Sequence, residues 1–103
     1  MSLLKEQTAF SLAVAKLIQF AYARGYEITL GDAWAHDRHK DDSFHYKRLA
    51  IDLNLFKAGK WLDKTEDHTE LGEFWQELGG SWGGDWQDGN HYSWGEGYVQ
   101  AHT

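Results

Sequence analysis

The sequence predicts a small α+β domain, an antiparallel sheet packed with helices. Three observations carry the prediction: an apolar stripe at helical spacing near the N-terminus, strict alternation near the middle, and a second helical stripe after it.

Taken in order, residues 3–24 set Leu3, Phe10, Val14, Leu17 and Ala21 on or near one stripe, and Gly25 follows where a left-handed cap belongs. Tyr26 to Leu30 then alternates as a short strand that Gly31-Asp32 ends. From Trp34 to Ser43 the chain turns to His, Asp, Arg and Lys, which cannot bury themselves and predict an exposed loop. Beyond it Leu49, Ile51, Leu53 and Leu55 alternate with Ala50, Asp52 and Asn54, a strand with one face on a core. Asp52 therefore points away from the aliphatic row. Lys57-Ala58-Gly59-Lys60 predicts a hairpin turn into Trp61-Leu62. Thr65 is expected to cap a helix over 66–78, where Leu71, Phe74, Trp75 and Leu78 fall at i, i+3, i+4 and i+7 before Gly79-Gly80 stops it. The tail SWGGDWQDGNHYSW has glycine spacing suited to tight turns or a bulged strand.

Composition bounds what such a chain can do. With 103 residues it is expected to form a single domain, 1–103, with one core and one site. Absence of cysteine rules out disulfides and thiolate ligands, so any metal must be held by His, Asp or Glu. A formal charge of −6 without a basic stripe argues against nucleic acid as a partner. The apolar stretch Ala9–Ala15 is too short to span a bilayer, and no basic segment leading to a small-residue cleavage site is seen. A cytoplasmic product with no membrane partner is the expectation, and it is taken to be a monomer. Six Trp, five Tyr and five Phe either wall a cleft or pack the small core.

The residues with chemistry to offer are His45, Asp52, and the pair Asp88 and His91. A catalytic zinc takes three protein ligands and leaves a fourth position for water. Over seven residues a helix rises roughly 10.5 Å and a strand roughly 23 Å, so bringing His45 beside Asp52 requires a bend between them. Asp88 and His91 flank a Gly-Asn turn that can bring both side chains to one side of the chain. With metal on His91, Asp88 would be placed as general base toward water. The plainer alternatives are solvated or hydrogen-bonded histidines and carboxylates. His36 and His39 sit in the charged loop, His68 near the start of the second helix, and His102 in a terminal segment. Asp85, on its Gly-Gly turn, rivals Asp88 or merely bonds nearby amides.

Ser43-x-His45-x6-Asp52, the Trp-Gly-Gly-Asp-Trp stretch at 82–86 and Asp88-x-x-His91 together resemble a known family. It comprises the zinc D-alanyl-D-alanine carboxypeptidases and L-alanyl-D-glutamate endopeptidases of the VanY and phage endolysin type. The resemblance runs from about Ile28 to Trp94 and implies a hedgehog-like α+β fold around a zinc cleft. It makes His45, Asp52 and His91 the zinc ligands and Asp88 the catalytic base. The implied substrate is the stem peptide of bacterial peptidoglycan, and the implied setting a phage or prophage endolysin held in the cytoplasm until released to the cell wall. The chain departs from the family at Gly31-Asp32-Ala33-Trp34-Ala35, where many relatives carry an arginine that steadies substrate or oxyanion. Arg38 or His36 would have to serve instead. That gap supports a competing reading, a catalytically impaired, metal-stabilised module that binds the cell wall or a partner.

Overall fold

In the computed structural model residues 2–32 and 49–94 are described. Helix α1 (Leu3–Ala23) begins at Ser2, whose side-chain oxygen accepts the Lys5 amide, and ends at Gly25, whose φ of 90° suits a residue without Cβ. Phe10, Ala13, Leu17 and Ala21 form its buried stripe, with Val14 packed partly against the core. Leu3, expected on that stripe, is 48% exposed, and the buried positions begin at Phe10.

The sheet is built on β2 (Ala50–Lys57). Strand β1 (Glu27–Leu30) pairs antiparallel along one side of it, with Ile28 opposite Leu55 and Leu30 opposite Leu53. Backbone hydrogen bonds extend that pairing, from Gly31 to the Asp52 carbonyl and from Asp52 to the Asp32 carbonyl. Among the described residues β1 is an edge strand, and the Tyr22 hydroxyl accepts its Ile28 amide at 3.2 Å. The predicted hairpin forms: Ala58 and Gly59, at φ 53° and 78°, make the two-residue turn to β3 (Lys60–Leu62), both in the left-handed region that such turns demand.

The second helix begins differently from the expectation. Thr65–His68 is a 3₁₀ turn, and α2 proper spans Thr69–Glu77. Thr65 is not the cap. Its hydroxyl accepts the Gly89 amide at 3.2 Å, while Asp67 reaches back to the Lys64 amide at 3.1 Å. Gly79, at φ 103°, stops the helix as predicted.

In the tail, β4 (Ser81–Trp82) leads through a 3₁₀ turn (Gly83–Trp86) and a tight turn to β5 (His91–Ser93). Strand β5 pairs antiparallel with both β4 and the first half of β2. Leu53 donates to Asn90 on the side of β2 opposite to that used by Asp52, so β5 and β1 flank β2.

Both helices cover one face of the sheet. The core joins Leu17 and Ala21 of α1, Ile51, Leu53 and Leu55 of β2, Leu71 and Trp75 of α2, and Tyr92 of β5. Phe20 and Phe74 stack at 4.1 Å between the helices, and Trp75 meets Phe10 and Tyr92 edge-on. The Trp75 indole N–H lies 3.1 Å from the Ser81 carbonyl and 2.9 Å from that of Ser93, tying α2 to β4 and β5. The result is an α+β domain with an antiparallel sheet and two helices, as the sequence predicts. No described helix is long and apolar enough to cross a membrane.

Candidate active site

The site starts from the alternation in β2. With Ile51, Leu53 and Leu55 on the core, Asp52 lies on the opposite face, as its place in the sequence requires. In the β2–β5 ladder its direct partner is His91, so both side chains leave the sheet on the same face. The Nδ1 of His91 lies 3.4 Å from Oδ1 of Asp52, with 10% and 22% of the two side chains exposed.

Two kinds of pair bear on that distance. A charge-assisted N–H to carboxylate hydrogen bond is normally about 2.7–2.9 Å long. Donors bound at about 2.0–2.1 Å to a tetrahedral ion stand about 3.3 Å apart. At 3.4 Å the two groups form an ion pair whenever His91 is protonated and are also near enough to reach one cation, and a carboxylate with a nearly buried imidazole is a donor pair suited to zinc. Among the described residues no group of three or more His, Asp or Glu gathers around a common point. His45, the remaining expected ligand, lies outside the described residues, as do Arg38, His36 and His39.

Asp88 stands at the start of the turn that delivers His91. The His91 amide donates to the Asp88 carbonyl at 3.1 Å, and the Asp88 amide to the Gly83 carbonyl at 3.0 Å. Its side chain is exposed, whereas His91 is buried. Gly83 makes this closeness possible: a Cβ there would sit 2.3 Å from the Asp88 carbonyl oxygen and 3.1 Å from Cβ of His91. Gly31 does the same on the other side, where a Cβ would meet the Asp52 carbonyl oxygen at 2.8 Å. Asp85 is exposed in the 3₁₀ turn of the same Trp-Gly-Gly-Asp-Trp stretch.

The described aromatics differ in burial. Trp75 and Tyr92 are wholly buried in the core, while Trp61 and Trp86 are exposed. His68, which the sequence leaves near a helix start, is buried, and its Nδ1 lies 2.8 Å from the Tyr92 hydroxyl. Burial pushes its pKa down to about 4, so it is a neutral core histidine. No local sequence pattern marks it, because its partner lies on a distant strand.

A family model of D-alanyl-D-alanine carboxypeptidases matches residues 36–94, more than half of the chain. The chain belongs to the D-alanyl-D-alanine carboxypeptidase family. No curated protein matches it. The carboxypeptidase match takes in β2, the hairpin, α2 and the whole tail through Trp94, with Asp52, Asp88 and His91 inside it. Helix α1 and β1 precede it. Carboxypeptidases of this family are peptidases that act on peptidoglycan and are generally zinc-dependent.

Proposed function

We propose that this chain is a zinc peptidase that hydrolyses a peptide bond in peptidoglycan stem peptides, and that it serves as a phage or prophage endolysin. The observation that carries the reading is the Asp52–His91 pair at 3.4 Å, in a member of a peptidoglycan peptidase family, with Asp88 at the head of the same turn.

Asp52 and His91, with His45, would hold the ion, which when bound supplies a Lewis acid for the scissile carbonyl and lowers the pKa of water. The chain's own part is then defined. Asp88, exposed beside His91, takes a proton from the attacking water and delivers it to the leaving amine. Arg38 or His36 meets the negative charge that develops on the carbonyl oxygen. Placing Asp52 within a strand and His91 at the first residue of its partner gives the donors a rigid frame. As an endolysin the protein is held in the cytoplasm until it is released to the wall.

The test is digestion of purified cell-wall fragments by protein made without a His tag, with and without added zinc, followed by mass spectrometry. New L-alanine carboxyl ends would assign an endopeptidase, and freed D-alanine a carboxypeptidase. Stem peptides left intact at every zinc level would reject the peptidase and favour a metal-stabilised module that binds the wall or a partner.

A further inference from the structure

We infer that Thr65 and Trp82 are positioning residues for this site, a clamp on the Gly89 peptide that fixes where Asp88 and His91 stand. The inference rests on the peptidase reading above and concerns residues that reading leaves without a role.

Turns joining strands are the mobile parts of a fold, and Asp88 and His91 are joined by only Gly89 and Asn90. A glycine-containing turn left to itself would sample many conformations. Here both backbone groups of Gly89 and the carbonyl of Asn90 are taken up. The Gly89 amide donates to the Thr65 hydroxyl at 3.2 Å, and the Gly89 carbonyl accepts the Trp82 indole N–H at 2.7 Å. The Asn90 carbonyl accepts the Leu53 amide at 2.9 Å, next to Asp52 on β2. The side-chain bonds come from two separate elements, the 3₁₀ turn before α2 and strand β4.

Packing is committed to the same end. The Trp82 ring lies in a slot between Gly72 of α2 and Gly84, where an added Cβ would come within 2.1 Å and 2.4 Å of ring atoms. Gly89 presses on Thr65 so closely that a Cβ would sit 2.6 Å from its Cα. The Trp-Gly-Gly part of the tail motif thereby acquires a physical meaning: Trp82 holds Gly89, Gly83 admits Asp88 and His91, and Gly84 admits Trp82. A displacement of about 1 Å in a reacting group can cost about 100-fold in rate, so the clamp acts through Asp88 and His91 without touching substrate.

Thr65→Val tests this with little change of shape, since it removes the acceptor and keeps the branched side chain. Zinc affinity, by competition with a chromophoric chelator, and kcat and KM on wall fragments are measured beside Thr65→Ser and Trp82→Phe. The expected result is a fall of about 10-fold in zinc affinity and in kcat for Thr65→Val, with KM within about 2-fold and recovery in Thr65→Ser. Trp82→Phe should fall at least as far. Folded Thr65→Val and Trp82→Phe proteins that keep wild-type zinc affinity and kcat would overturn the clamp alone. Wild-type protein that binds no zinc and cuts no wall would overturn the peptidase reading, and the role given to the clamp with it.

Discussion

His91 and Asp52 are direct cross-strand partners in the antiparallel β2–β5 ladder, and their side-chain donors stand 3.4 Å apart on the face away from the core. Asp52 lies within β2, and His91 opens β5 where the clamped turn ends. Asp52→Asn and His91→Ala should each weaken zinc binding by about 100-fold or more, since even residues that only support metal ligands cost about 10–100-fold. Chelator competition measures this, and near-UV circular dichroism should show the fold retained at low temperature. Wild-type affinity in either variant would take that residue out of the metal site.

Asp88 is exposed and belongs to the turn, not to the sheet. Asp88→Asn should therefore keep zinc within a few-fold of wild type while hydrolysis falls by about 10²–10⁴, the usual worth of a general base. Equal activity in the variant and the wild type would show that some other group moves the proton.

His68 makes the fold sensitive to acid. Its folded pKa, about 4, is below the ordinary 6.5 because burial disfavours the imidazolium. Between those values the unfolded chain binds the proton that the folded one refuses, so stability is full above about pH 6.5 and is lost as pH falls toward 4. At about 1.4 kcal/mol per unit this costs about 2 kcal/mol at pH 5. Urea unfolding of metal-free protein across this range should show the loss, and His68→Gln should flatten it. Parallel profiles for the two proteins would contradict the assignment.

The Trp75 N–H faces two carbonyls at once, on Ser81 and Ser93. Trp75→Phe leaves both without that donor in a buried place and opens a cavity. A loss of about 2–4 kcal/mol in urea unfolding at pH 7 is expected. A loss under about 1 kcal/mol would mean that the bridge between α2 and the sheet adds little.

Much of the frame was legible because it follows from short-range rules. The Leu49–Leu55 alternation put Asp52 off the core, and Lys57-Ala58-Gly59-Lys60 announced its turn. The glycines at 25 and 79 marked both helix ends. What escaped were choices made between distant parts of the chain. Thr65 has the chemistry of a helix cap, but Gly89 competes for its hydroxyl and wins, and the helix starts with a 3₁₀ turn instead. His68, near a helix start, reads equally as solvated or hydrogen-bonded until Tyr92, on a distant strand, supplies its partner. The Asp52–His91 pairing was implied by family resemblance and not by spacing, since register between strands so far apart in sequence is set by the whole core. The expected contributions of His45, Arg38 and His36 lie outside the described residues.

The phenol of Tyr22 on the Ile28 amide has a colloidal consequence. An uncovered strand offers its amides and carbonyls to any neighbouring molecule with a matching rim, the route by which small sheets stack into fibres. At Ile28 that offer is withdrawn by a side chain six residues earlier, and at the far margin β4 is only two residues long. Tyr22→Phe would spare the buried interior but reopen a docking point for a second copy, so the loss would be felt as turbidity at high concentration before any change in melting temperature.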